Sequence, residues 1–237
     1  MSKKIKFKKF NFPFNTVVST KDNGPVYLNC NFAKSDSLKK IAKEFNFDIN
    51  NLSLGEQIHG NNIKNINKLK GKFYKKNDGF ISDKSGVILA IATADCLPII
   101  MADPVTNYFG IFHAGYRGIL NGILEKALNE FISFGSDLSN LIIGIGPGIE
   151  AKCYDVKVDR INSFKEKYFK FNNYYFKKED KYFLDLKKLS LNIIKSFGVK
   201  NKNIEVMNFC TKCDNDLFYS HRAMPNQGNF LTLIWKQ

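Results

Sequence analysis

Three histidines occur among 237 residues, and two of them sit beside glycines. His59 lies in Gln57-Ile-His59-Gly60 and His113 opens His113-Ala-Gly-Tyr-Arg-Gly118, while Cys96 lies in Thr93-Ala-Asp-Cys-Leu-Pro98. Imidazole and thiolate ligands with one position left open suit a catalytic zinc, which lowers the pKa of bound water toward neutrality. The same pair of types also suits a thiolate nucleophile with an imidazole base. Copper oxidase chemistry fits poorly. Its combined copper clusters use roughly eight to ten histidines, and this chain has three.

Whether these side chains meet depends on the strands that carry them. Leu97 to Ala102 and Tyr108 to His113 read as two strands around the turn-rich Asp103-Pro-Val-Thr-Asn107. If the turn centres between Val105 and Thr106, facing residue numbers sum to about 211. Cys96 then falls opposite Gly115, and His113 opposite Pro98. Both potential ligands stand at the open end of the hairpin, about two residues apart on the diagonal. A third imidazole must come from elsewhere in the chain.

Other polar residues border this corner. Gly115 to Gly118 leads into a helix start, where free N–H groups, the helix dipole and Arg117 would attract an anion; a glycine turn for tight packing is the plainer reading. Asp95 adjoins Cys96 and is a candidate proton relay or a support for a metal ligand. Asp78, in Asn77-Asp-Gly79, adjoins a strand end and is a candidate for the same two roles, with an ordinary Asp-Gly turn the favoured reading. Cys210-Thr-Lys-Cys213 resembles half of a zinc or redox site, but no second pair completes it, so it reads as structural. His221 fits a fourth ligand, a substrate contact or a surface turn.

The remaining pattern is that of a mixed-sheet α/β domain. Residues 34–47 form an amphipathic helix capped by Ser35 or Asp36, with Leu38, Ile41, Ala42 and Phe45 on one face. Val87 to Thr93 is apolar on both faces, as a buried strand requires. A helix is expected over 118–133, a strand over 141–145, helices near 158–170 and 185–197, and closing strands near 204–208 and 229–235. The Lys/Tyr/Phe-rich stretch 165–183 reads as a surface insertion. No repeat or linker divides the chain, so residues 1–237 are expected to be one domain.

Composition narrows the function classes. The net charge is +14, yet only three of the 36 basic residues are arginine. Nucleic-acid readers favour Arg forks, and the scattered Lys, with abundant Asn, Phe and Ile, looks like A/T-rich codon drift on a solvated surface. No nucleic-acid partner is expected. The most apolar run, Val87 to Ile100, is interrupted by Thr93, Asp95 and Pro98 and is too short for a bilayer. The basic start, Met1 to Lys9, leads into no signal-peptide core. Five cysteines are a sparse, odd set for a disulfide framework, and the protein is expected to be cytoplasmic.

Taken in order, Gln57-x-His59-Gly60, Asn77-Asp-Gly79, Thr93-Ala-Asp-Cys-Leu-Pro98, His113-Ala-Gly-Tyr-Arg-Gly118, Gly146-Pro, Cys153-Tyr-Asp-Val156 and Cys210-Thr…Phe218-Tyr-Ser-His-Arg222 resemble the YfiH-like family. That family is catalogued as laccase-domain or multicopper polyphenol oxidases and as purine nucleoside phosphorylases. The resemblance implies an α/β domain with mixed β-sheets layered against helices and one zinc held by His59, Cys96 and His113. It implies phosphorolysis of adenosine, inosine, guanosine and S-methyl-5'-thioadenosine to base and (methylthio)ribose 1-phosphate, together with adenosine deamination. By the same match Asp95, Cys96 and Arg117 would be catalytic, while Gln57, Arg117, Gly118 and Arg222 would contact substrate or phosphate. The expected partners are therefore purine nucleosides and phosphate, with no membrane, in a monomer or homodimer. A cell-wall-precursor editing amidase, also associated with this family, is the alternative. Two departures stand out. His221-Arg-Ala-Met-Pro…Gly228-Asn229 replaces the usual Arg-Arg-Asp…Thr-Gly-Arg, and Tyr116 replaces a Trp.

Overall fold

The computed structural model describes residues 5–27 and 35–237. Cys30 and the first residue of the expected 34–47 helix lie outside them. Two large sheets pack face to face. One holds β1 (Phe14–Val18), β2 (Leu52–Gly55), β4 (Phe73–Tyr74), β6 (Ile88–Thr93) and β14 (Phe230–Lys236), in the order β1-β14-β6-β2-β4. The other holds β3 (Ile63–Asn65), β5 (Gly79–Ser82), β7 (Leu97–Ala102), β8 (Phe109–Ala114), β9 (Ile142–Ile145) and β13 (Ile204–Val206), in the order β13-β9-β7-β8-β5-β3. Both contain parallel and antiparallel pairs.

The continuous apolar strands follow from burial on two faces. Along β7, Ile100 and Ala102 point into the layer between the sheets, where they meet Leu89, Ile91, Phe80 and Ile234. Leu97, Ile99 and Met101 point the other way, onto α3 (Ile123–Ser133), α4 (Val158–Lys167) and α5 (Leu186–Ser196). Along β6 the alternation repeats, with Ile88, Ala90 and Ala92 beneath Leu38 and Ile41 of α1 (Asp36–Phe45). The order of layers is therefore helix, sheet, sheet, helix, the arrangement that buries every apolar face.

Two expectations need correction. The helix expected over 118–133 is two helices, α2 (Tyr116–Leu120) and α3, because Gly122 adopts φ +82° and breaks the ladder after Asn121. Nor is 165–183 a surface insertion. It holds the end of α4 and the hairpin of β11 (Tyr175–Lys178) and β12 (Lys181–Leu184), which pairs with β10 (Asp155–Val156) in a three-stranded sheet. Tyr168 and Tyr174 are buried in the helical core, and the Tyr168 hydroxyl donates to the Ile119 carbonyl at 2.6 Å. Aromatic residues among lysines look solvent-facing in sequence, but here Tyr168 and Tyr174 pack inward while Phe169 and Phe176 stay exposed beside the lysines.

The β7–β8 register matches the hairpin arithmetic, with Leu97 facing Ala114 and Pro98 facing His113. No helix among the described residues is long and apolar enough to cross a membrane. Ile100 is fully buried between the sheets, so Ile100→Ala should cost about 2–5 kcal/mol. The check is a urea unfolding curve whose midpoint falls while its slope stays constant.

Candidate metal centre and active site

Three ligand atoms, one each from His59, Cys96 and His113, lie within 4.8 Å of one another. Cys96 is placed by the entry to β7 and His113 by β8, the two strands whose register sets them side by side. His59 comes from the loop after β2, where it adopts φ +61°. The imidazoles of His59 and His113 meet edge to face, with centroids 4.7 Å apart. Gly115 is required by this crowding. A Cβ there would lie 2.9 Å from both Cys96 Sγ and His59 Cδ2.

Asp78 fixes both histidines. It is fully buried at the start of β5, and its Oδ1 meets His113 Nδ1 at 2.9 Å. The same carboxylate accepts the backbone N–H groups of Ile58, His59 and Gly60 at 3.3, 2.9 and 2.8 Å. Reading Asp78 as an ordinary turn residue is thus corrected: Asn77-Asp-Gly79 carries the anchor of the site. With Nδ1 engaged, His113 directs Nε2 toward the thiol, an arrangement typical of carboxylate-oriented metal ligands. Burial would raise the Asp78 carboxyl, but the His113 bond and the Gly60 and Ile58 N–H groups hold it below its usual range.

The thiol and the imidazole shift each other. Burial pushes Cys96 up, yet the charges and hydrogen bonds of His113 and then His59 bring it from 9.0 down to about 6. Burial pushes His113 down, while the Cys96 thiolate and Asp78 raise it from 6.5 to about 9.

The remaining expected site residues scatter around this centre. Gln57 pairs its side-chain amide with the Ala92 backbone, at 2.8 Å to the carbonyl and 2.9 Å from the N–H, tying the His59 loop to β6. Gly118 is buried in α2; a Cβ there would lie 3.0 Å from the Gly60 carbonyl. Asp95, at φ +100°, accepts from Thr211 Oγ1 at 2.6 Å and from the Arg222 N–H at 2.7 Å. A left-handed non-glycine costs about 1–3 kcal/mol, and those two bonds hold the kink that turns Cys96 inward. His221 is exposed in a turn.

All three arginines gather on two tyrosines. Arg160 stacks its guanidinium 3.8 Å from the Tyr116 ring centre, with Arg117 at 5.4 Å from the same ring. Arg160 also donates to the Tyr154 hydroxyl at 3.2 Å, and Arg222 lies 5.3 Å from the Tyr154 ring and pairs with Asp155. Burial lifts the Tyr154 hydroxyl to about 12, opposed first by Arg160, so it stays a neutral donor. Arg160 and Tyr154 were not singled out from sequence. A usable signal existed, because these are the only three arginines in a lysine-rich chain.

This fold and this two-imidazole, one-thiol centre define a mixed α/β protein with a candidate metal site. Residues 27–237 match the family model "Multi-copper polyphenol oxidoreductase laccase", and the chain belongs to that family. Its relatives include a Borreliella burgdorferi purine nucleoside phosphorylase, 31% identical over 94% of this chain and 89% of that protein. The Bacillus subtilis purine nucleoside phosphorylase YlmD is 31% identical over 77% of this chain and 69% of its own. Adenosine deaminase RL5, from an unknown prokaryotic organism, is 23% identical over 88% and 86%. Among solved structures, the Bacillus licheniformis hypothetical protein YfiH superposes with a TM-score of 0.87 at 25% identity, covering 94% of this chain and 93% of that one. The relatives' names support an enzyme.

The paired shifts carry a pH signature for metal-free protein. The lowered Cys96 value contributes stability above 9.0 that is lost as pH falls through about 6. The raised His113 value contributes stability below 6.5 that is lost as pH rises through about 9. Between the two, thiolate and imidazolium coexist. Iodoacetamide labelling of Cys96 in metal-free protein should therefore rise with an inflection near pH 6, and Asp78→Asn should move that inflection upward.

Proposed function

We propose that this chain is a zinc-dependent purine nucleoside enzyme that cleaves nucleosides with phosphate and deaminates adenosine. One observation carries the reading: His59, Cys96 and His113 converge on one point, held there by the Asp78 carboxylate. The donor set suits zinc, since two imidazoles and one thiolate are borderline-soft ligands and His113 is already oriented through its other nitrogen. When bound, zinc supplies Lewis-acid activation of the group it contacts.

The chain's own residues divide the remaining work. Arg117, Arg160 and Arg222 form the positive side that would orient phosphate toward C1′ of the sugar and offset its charge. The phosphate oxygen forms the new bond to C1′ as the bond to the purine nitrogen breaks, giving free base and ribose 1-phosphate. Tyr116 and Tyr154 offer aromatic faces for a planar base, and the neutral Tyr154 hydroxyl is a hydrogen-bond donor at neutral pH. Asp95 supports rather than relays, because Thr211 and Arg222 occupy its two oxygens. The relatives named purine nucleoside phosphorylase and adenosine deaminase support adenosine as the first substrate to assay, followed by inosine, guanosine and S-methyl-5'-thioadenosine.

A second reading rests on the low Cys96 value. A thiolate beside a protonated His113 is also the resting pair of a cysteine hydrolase, such as an amidase. The two readings separate on metal. Under the nucleoside reading, zinc survives dialysis, shields Cys96 from alkylation and is needed for phosphate-dependent release of adenine. Under the hydrolase reading, metal-free protein is the active form.

Cys96→Ala and His113→Ala should each abolish phosphate-dependent adenine release, read by chromatography of base and nucleoside. Retained turnover in either variant defeats the proposal. Asp78→Asn should leave all three ligands in place yet weaken zinc binding by roughly 10–100-fold, measured by competition with a chromophoric chelator.

A further inference from the structure

A second cluster of sulfur lies apart from the residues of the centre described above. Cys153 closes the turn at Ala151–Cys153, after β9, whereas Cys210 and Cys213 flank the turn that follows β13. The two turns are joined by a parallel bridge between Gly148 and Cys210, with the Thr211 N–H donating to the Gly148 carbonyl at 3.2 Å. All three sulfur atoms lie within 4.8 Å of one another. The half-site Cys210-x2-Cys213, which had no partner in sequence, thus gains a third thiol from 57 residues upstream of Cys210.

We infer that Cys153, Cys210 and Cys213 form a second metal site, one that holds a thiophilic d10 cation such as Zn2+ through three thiolates. The spacing supports it. Cys153 and Cys213 have their sulfurs 3.3 Å apart, well beyond the roughly 2.05 Å of a disulfide bond. That is within about half an ångström of the edge of a tetrahedron with Zn–S bonds of ~2.3 Å. The sulfur of Cys210 is solvated by backbone: the N–H groups of Glu150, Lys212 and Cys213 are directed at it, the first at 3.5 Å. Several amides on one sulfur favour a thiolate over a thiol, as a metal ligand needs. Lys152 and Lys187 lie near the cluster and offset part of its negative charge. Each thiol loses its proton to solvent as its sulfur–metal bond forms. Cys210 is buried and Cys213 exposed, so the fourth position faces solvent.

The site would act as a clamp. The turn before Cys153 donates the Ile149 N–H to the Asp95 carbonyl at 2.9 Å, and Thr211, next to Cys210, holds the Asp95 carboxylate. A cation bridging the two turns therefore stiffens both supports of the residue that precedes Cys96.

The test uses the full chain, stripped of metal by a chelator under a phosphine reductant and then titrated with Zn2+. Wild type should bind two equivalents, Cys96→Ala one, and Cys213→Ser and Cys153→Ser one each. In the Cys96→Ala background, Zn2+ should raise the thermal midpoint, and adding Cys213→Ser should remove that rise. Co2+ added to Cys96→Ala should give the strong charge-transfer absorption of several thiolate ligands. If Cys96→Ala binds no zinc, or if protein purified without reductant carries a Cys153–Cys213 disulfide and the reduced protein takes up no second equivalent, the inference fails. A single wild-type equivalent that is lost in Cys213→Ser but kept in Cys96→Ala would uphold it while defeating zinc at His59, Cys96 and His113.

Discussion

The buried carboxylate of Asp78 is the constraint on which the site depends. A charged group with no solvent must be satisfied by other means, and here one imidazole and three backbone N–H groups do so. Those partners belong to β8 and to the loop after β2, so satisfying Asp78 and assembling the site are the same event. The loop carrying His59 adopts φ +61° there. Its three N–H bonds to Asp78 and the Gln57 clasp on Ala92 offset the strain.

A second consequence concerns charge. The half-buried Cys96 thiol and the buried His113 imidazole and Asp78 carboxylate form a coupled set in which each proton affects the others. Cys96 and then Asp78 keep His113 cationic in metal-free protein, and His113 keeps Cys96 anionic. The same arrangement that prepares a soft ligand for a cation also prepares a nucleophile. The pair alone therefore leaves two chemistries open, and the neighbours weigh between them. Those neighbours include Tyr154, whose hydroxyl feels the Cys96 charge and accepts from Arg160 while Arg222 lies over its ring.

Arginine placement gives composition a meaning that bulk charge lacks. Thirty-three of the 36 basic residues are lysine, and on a solvated surface either residue serves. A planar fork that must stack on a ring and donate sideways cannot be replaced by an ammonium. Arg117, Arg160 and Arg222 meet that demand at Tyr116 and Tyr154.

Much of this molecule was readable from its residues alone. Strand β7 and its hairpin partner, the facing of Pro98 by His113, and the amphipathic α1 all follow from local periodicity and turn chemistry, which act over a few residues. The break at Gly122 and the burial of Tyr168 and Tyr174 were not readable, because one glycine conformation and the inward face of an aromatic-lysine stretch are decided by what packs against them. An Asp-Gly turn was the favoured reading of Asp78, and Cys153 entered only through the motif Cys153-Tyr-Asp-Val156. Their significance lies in partners 18 to 60 residues away. Residue types and spacing declare which groups are able to do chemistry. Only the closing of one sheet over another decides which of them share a volume without water, and there desolvation makes each charge depend on its neighbour.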